Sequence, residues 1–163
     1  MSAAGPPLKR VRYFTGQLLS ASDLTAEQDY LLGRQRRHNR WLHGTGVVSG
    51  LRVEAAGGGI VLSPGIALDA RGNELVVETP IQCPLPTGTV AFLALRYVER
   101  VTDPVPSPDG GGTEASRIEE GVELVWVGTA TGEPGVVVAR LRRTKRGWRL
   151  DPKFRPRRAR RRP

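Results

Sequence analysis

RYFTGQLLSASDLTAEQDYLLGRQRRHNRWLHGTGVVSGL, residues Arg12 to Leu51, decides how the rest of the chain is read. It divides into an extended arm, one long helix, a glycine-rich stop and the first strand of a β-rich domain. The arm Tyr13-Phe14-Thr15-Gly16-Gln17-Leu18-Leu19 sets two adjacent aromatics and two adjacent leucines outside any amphipathic period. Ser20 is a good N-cap, and Asp23 three residues on completes a capping box with Asp in the usual Glu or Gln place. Gly44 and Gly46 supply the permissive backbone that a helix C-terminus wants.

The helix is predicted over roughly Ala21 to Leu42. Leu24, Gln28, Leu31, Gln35, His38 and Leu42 step by fours and threes, the seam spacing that meets another helix. Half of that seam is polar. Asp23, Glu27, Asp29, Arg34, Arg36, Arg37 and Arg40 occupy the other faces, so little apolar stripe is left for the chain's own sheet. Two arrangements fit: a helix clamped onto its own domain by Leu24, Leu31 and Trp41, favoured slightly by pattern alone, or a helix that packs against a neighbouring subunit.

The same residues carry a resemblance. Tyr13, Phe14, Gly16, Gln17, Leu18 and Leu19, then Asp23, Leu24, Glu27, Gln28 and Tyr30, then Asn39, Arg40, Leu42, His43, Gly44, Gly46, Val47, Val48, Gly50 and Leu51 follow one motif. That motif resembles the N-terminal part of small baseplate or fibre-anchoring proteins of phage-tail-like contractile injection systems. It covers about a quarter of the chain. The resemblance implies a structural part of a tail-like assembly, made and assembled in the cytoplasm and carried by any particle that is released. Other subunits of the particle, or further copies of the chain, would be its partners. It names no active site. The residues expected to make intersubunit contacts, from the unpaired aromatics and leucines and the seam spacing, are Tyr13, Phe14, Gln17, Leu18 and Leu19 of the arm and the six seam positions of the helix.

Bulk numbers fit one β-rich domain. The chain has 163 residues, 39% of them hydrophobic, with 20 glycines and 13 prolines, a balance that favours short strands and many turns. No stretch approaches the roughly 18 apolar residues of a spanning helix, and MSAAGPPLKRVR has no apolar signal core. Cys83 is the only cysteine, so no internal disulfide is expected. The net charge of +9 is uneven. Residues 140–163 hold 13 of the 25 basic residues and one acid, Asp151, leaving 12 basic against 15 acidic residues, or −3, in the body.

From Val47 on, short apolar runs alternate with glycine-rich turns. Val47–Ala55 is predicted as one strand, Pro64-Gly65 as a tight turn, and Glu74–Glu78 as another strand. Pro80, Pro84 and Pro86 mark an edge segment. Val90–Val98, apolar on both faces, is the expected central strand. Residues 102–117, with three prolines and three consecutive glycines, have the composition of a mobile loop. Glu120–Thr129 resumes strand, and Val136–Arg143 with Trp148–Leu150 forms a hairpin. Lys153, Arg155, Arg157, Arg158, Arg160, Arg161 and Arg162 lie in a tail too poor in apolar residues to fold alone. The expected organisation is an arm (1–19), a helix (20–43), a β-rich domain (44–152) and a disordered basic tail (153–163). The fold class is α+β, mainly β: an arm and one long helix before a small antiparallel sandwich or barrel.

No catalytic constellation stands out. His38 and His43 are the only histidines, and five residues apart they fall on different sides of an α-helix, so no metal is expected. Gly44-Thr45-Gly46-Val47-Val48-Ser49-Gly50 has the wrong spacing and follows rather than opens a helix, so it is no dinucleotide loop. Ser49 lacks a nucleophile-elbow setting. Asp23 with Glu27, and Glu119 with Glu120, suit surface or capping roles better than acid–base work. His43 is expected to meet the last carbonyls of the helix. The reading is a non-enzymatic structural protein without a cofactor. Two others stand beside it: a nucleic-acid-associated protein acting through the basic tail, and a carbohydrate- or receptor-binding module using its loops.

Overall fold

A computed structural model describes residues 8–56, 58–88, 90–128 and 135–160. One helix, α1 (Ala21–His38), is continued by a single π-helical turn, Asn39–His43. Ten strands follow: β1 (Gly46–Gly50), β2 (Val53–Ala56), β3 (Gly59–Leu62), β4 (Gly65–Leu68), β5 (Glu74–Val77), β6 (Ile81–Cys83), β7 (Val90–Pro106), β8 (Thr113–Val127), β9 (Val136–Thr144) and β10 (Gly147–Leu150). They form three antiparallel sheets, β1-β4-β5, β2-β3-β6 and β10-β9-β7-β8. The class is α+β, mainly β.

The run expected as one strand, Val47–Ala55, is two strands in two sheets. Gly50 and Leu51 both adopt positive φ, 60° and 56°, and the chain leaves the first sheet there and enters the second. Its partner switches sheets at the same place, between β3 and β4, so Pro64-Gly65 is a corner rather than a tight turn. The two backbones touch at this crossing: a Cβ on Gly50 would lie 2.1 Å from the Pro64 carbonyl oxygen, and one on Gly65 would lie 2.4 Å from that of Ser49. Only glycine permits that approach. Leu51 N–H donates to Pro64 O (3.1 Å) and Ser63 N–H to Arg52 O (2.8 Å), which keeps the ladder paired around the bend. Leu51 itself is buried and belongs to the core, which holds its unusual backbone in place.

One core joins the three sheets. Val47 and Leu75 come from the first, Ile60 and Leu62 from the second, and Leu93, Leu95, Val138 and Leu141 from the third. β7 is central in its sheet, paired to β9 on one side and β8 on the other. Opposite Leu93 and Ala94 the register shifts by one, with Val138 the extra residue on β9, and adjacent Val138 and Ala139 are both buried there, as a bulge permits.

Two expectations fail here. Residues 102–117 are no mobile loop: β7 and β8 stay paired to Pro106↔Thr113, and only residues 107–112 turn. Pro104 and Pro106 are tolerated because alternate residues send their N–H to the same side, and among the described residues no strand pairs with β7 beyond Leu95 on the side away from β8. The described part of the tail is not disordered either. Asp151 to Arg160 runs back as a strap over β1: Val47 N–H donates to Arg157 O (2.8 Å), Ala159 N–H to Val47 O (3.1 Å), and Arg160 N–H to His43 O (2.7 Å). Phe154 meets Phe92 edge-on at 6.0 Å, and Ala159 is buried. The backbone hydrogen bonds anchor the segment without needing apolar side chains. Arg161 and Arg162 lie outside the described residues.

A Cβ on Gly46 would sit 2.5 Å from Arg157 O and 2.8 Å from Ala159 N. Gly46→Ala is therefore expected to lift the strap off β1 while leaving the sheets paired. Hydrogen exchange checks this: the amides of Val47, Ala159 and Arg160 should lose protection, and those of Leu93 and Leu141 should keep theirs.

Candidate subunit interface

The arm is shaped by one turn. Gln17 N–H donates to Phe14 O (3.1 Å), Phe14 N–H donates back to Gln17 Oε1 (3.2 Å), and Gly16 takes φ 83° at the third turn position, as a type II turn requires. Tyr13 and Phe14 enter this turn, and Leu18 and Leu19 leave it. All four side chains are exposed, Leu18 to 92%.

The helix starts as its sequence predicts. Asp23 N–H donates to Ser20 Oγ (3.2 Å) and Ser20 N–H to Asp23 Oδ2 (3.0 Å), the complete capping box. The Ser20 hydroxyl also donates to Asp23 Oδ2 (2.6 Å), and this bond first, then that of the Ser20 N–H, holds the Asp23 carboxyl below the usual carboxylate range. A lowered folded pKa means the stabilisation is fully present above the unfolded value of about 3.9 and is lost as pH falls through the folded one. Amide exchange of Asp23 and Leu24 should accordingly rise below pH ~4 in the intact protein, whereas a Ser20→Ala/Asp23→Ala variant should show the faster exchange at neutral pH too.

α1 is about 27 Å long at 1.5 Å per residue, and none of its side chains is buried. It meets the β domain only through its last turns. Asn39, buried, donates from Nδ2 to Gly72 O (2.9 Å) and Glu74 Oε1 (3.3 Å), and Gln35 Nε2 donates to the same Glu74 oxygen (2.7 Å). Gly72 lies in the β4–β5 turn, where buried Asp69 accepts from the N–H groups of Arg71 and Asn73. Its φ is 88°, and a Cβ there would stand 2.1 Å from Arg36 O, so helix backbone rests on turn backbone. Arg36 Nη2 reaches Glu99 Oε1 at 3.0 Å, and Tyr97 Oη donates to the same oxygen at 2.8 Å. The Tyr97 bond first, then Arg36, hold the Glu99 carboxyl below its usual range. Burial, then the Glu99 and Glu120 carboxylates, push the Tyr97 hydroxyl well above its ordinary value. Asn39→Ala removes two hydrogen bonds made by a buried side chain of this joint, at an expected cost of about 1–3 kcal/mol; denaturant unfolding measures it.

This geometry corrects the clamp expected from Leu24, Leu31 and Trp41. Leu24 and Leu31 are half exposed and Trp41 is 78% exposed. Polar groups, not these apolar ones, tie the helix to its domain. The seam also divides. Leu24, Gln28 and Leu31 lie open on the first turns, while Gln35 is committed to Glu74. The π turn adds a residue per turn, which shifts Leu42 off the line of Leu24 and Leu31 and brings the rings of His38 and His43 to 5.4 Å. The two histidines are thus neighbours, against the expectation for an α-helix. His43 Nδ1 lies 3.4 Å from Arg160 O on the strap rather than at a helix carbonyl. Among the described residues no group of three or more His, Cys, Asp or Glu side chains converges as a metal site would.

The exposed apolar surface of the arm and helix therefore includes Tyr13, Phe14, Leu18 and Leu19 on the arm, Leu24, Leu31 and Leu32 on α1, and Trp41 and Leu42 in the π turn. Trp41 was read as a clamp because a tryptophan on a polar helix suggests burial; its exposure makes it part of this surface. Among the described residues no helix is long and apolar enough to cross a membrane.

No family model and no curated protein matches the sequence. Solved structures share its fold. A chain of the type VI secretion system TssK-TssF-TssG baseplate subcomplex superposes with a TM-score of 0.57 at 18% identity, over 92% of this chain and 62% of that one. A chain of the baseplate complex from the type VI secretion system gives 0.58 at 15% identity, over 93% and 60%. A crystal structure of TssK gives 0.58 at 16% identity, over 92% and 42%. This chain spans about six-tenths or less of the length of those chains, and the likeness is one of fold.

Proposed function

We propose that the protein is a non-enzymatic structural component of a contractile, phage-tail-like injection particle, placed in its baseplate, spike or fibre-attachment region. One observation carries this reading: the arm and α1 present leucines and aromatics that find no place in the protein's own core. Large apolar side chains left outside the core in this number support a contact site. A fold shared with baseplate proteins and the motif running through these same residues support the choice of assembly. The work is mechanical. The β domain is a rigid base, the polar joint at Asn39 and Gly72 sets the angle of the helix, and the arm inserts its anchors into a neighbouring subunit. The protein would be assembled in the cytoplasm with its particle.

The backbone of residues 157–160 is bonded to β1 and to the end of the helix, which brings Arg160 to the carbonyl end, where positive charge is favourable. The nucleic-acid reading would use the exposed arginine side chains of the same strap.

Buried aromatic anchors dominate interface energies, at about 2 kcal/mol or more each. Tyr13→Ala/Phe14→Ala should therefore leave the circular dichroism and melting of the isolated protein unchanged, yet remove it from purified particles as quantified by mass spectrometry. Normal incorporation of a folded variant would refute the proposal.

A further inference from the structure

The four-stranded sheet carries opposite charge on its two margins. Beyond Val98, β7 and β8 leave the sheet as a two-stranded ribbon, paired from Glu99↔Glu120 to Pro106↔Thr113. Residues 99–120 contain six carboxylates against Arg100 and Arg117, a net charge of −4. On the opposite margin the β9–β10 hairpin, residues 136–150, contains six basic residues and no acid. Arg143, Lys145, Arg146 and Arg149 of that hairpin are exposed.

These margins do not neutralise each other within one chain. β9 pairs only with the first part of β7, from Val90↔Arg142 to Leu95↔Val136. The basic end of the hairpin therefore lies at the start of β7, and the ribbon begins nine residues on, at Glu99, about 30 Å away at ~3.3 Å per residue. That exceeds the Debye length of about 8 Å at physiological salt. The ribbon also lacks support. Arg100 to Glu120 is exposed almost throughout, and a two-stranded ribbon with nothing behind it is marginal in water. At its middle, Val101 and Ile118 face each other across the strands and stand 74% and 64% exposed. Long basic side chains cover such a patch well, with their stems on the aliphatics and their heads on the surrounding carboxylates.

We propose that copies of this chain associate head to tail, the basic β9–β10 hairpin of one docking on the acidic β7–β8 ribbon of the next. The contact is heterologous, so each copy offers one free acidic and one free basic end, and the array closes into a ring or extends. A second copy fits better than nucleic acid because it satisfies both margins at once, whereas nucleic acid on the hairpin would leave the acidic ribbon without a partner.

Sedimentation velocity on the intact protein, over a series of protein and salt concentrations, tests this. The wild type is expected to associate at low salt and to dissociate as salt rises, by about tenfold or more in affinity, since the contact is made of exposed charges. Glu114→Lys/Glu119→Lys blocks the acidic end, and Arg143→Glu/Arg146→Glu blocks the basic end. Each should be monomeric with unchanged circular dichroism, and an equimolar mixture should associate again, because the intact ends pair and the two reversed ends are complementary as well. Should the ribbon variant unfold, the hairpin variant alone still has to abolish association. A wild type that stays monomeric at low salt overturns the proposal. So does association that survives both exchanges, or hairpin-dependent retention of duplex DNA without self-association. None of these readouts involves the particle, so failure here is distinct from failure of Tyr13 and Phe14 to direct incorporation.

Discussion

Where β1 passes into β2, two backbones come closer than any side chain allows, and the whole β domain depends on that contact. Gly50 and Gly65 face each other across the bend, each without room for a Cβ. Because the crossing is this tight, one long ribbon serves two sheets, and both sheets turn an apolar face inward toward β7 and β9. A methyl group at either position would push the strands apart, and Leu51 would leave the core that stabilises its own strained conformation. Close approach here is a condition of the core, not a consequence of it.

The same device recurs wherever another part of the chain is laid on this scaffold. Gly46 lets the strap lie along β1, and Gly72 lets the helix backbone rest on the β4–β5 turn. Each contact is backbone to backbone, then secured by a few polar bonds: Val47 with Arg157 and Ala159, and Asn39 with Gly72 and Glu74. This explains how a helix with no buried side chain is held at a definite angle. Attachment through polar groups leaves the apolar residues of the arm and helix unspent, and it is that surplus which a neighbouring subunit can use.

Charge follows a parallel logic. The chain's formal charge of +9 says little about its surface, because the fold sorts the charges. Arg160 of the strap is brought to the carbonyl end of the helix. Asp151 is shared by Arg140 and Arg142 at 3.5 and 3.2 Å, while the carboxylates of the ribbon gather on the far margin of the sheet. A protein built to be joined to others on several sides would need such separation, since exposed pairs add little stability but do select orientation.

Local rules were legible in the sequence. The capping box at Ser20 and Asp23, the single helix, the strands at Glu74–Val77 and Val90–Val98 and the β9–β10 hairpin all follow from side-chain period, caps and turn residues within a few positions. The exposed arm was legible too, because two aromatics and two leucines outside any period have no local use. What lay beyond sequence was every feature set by partners distant in the chain. Leu51 at positive φ belongs to a crossing with Pro64, Pro104 and Pro106 are tolerated because β9 has already ended, and the strap is ordered by the free edge of β1. The π turn that unites His38 and His43 adjoins the strap's hydrogen bond to the His43 carbonyl. Composition describes what a segment can bury by itself, and backbone hydrogen bonds to a waiting edge ask for no such burial. That is why the tertiary structure alone decided the order of the tail and the freedom of Trp41.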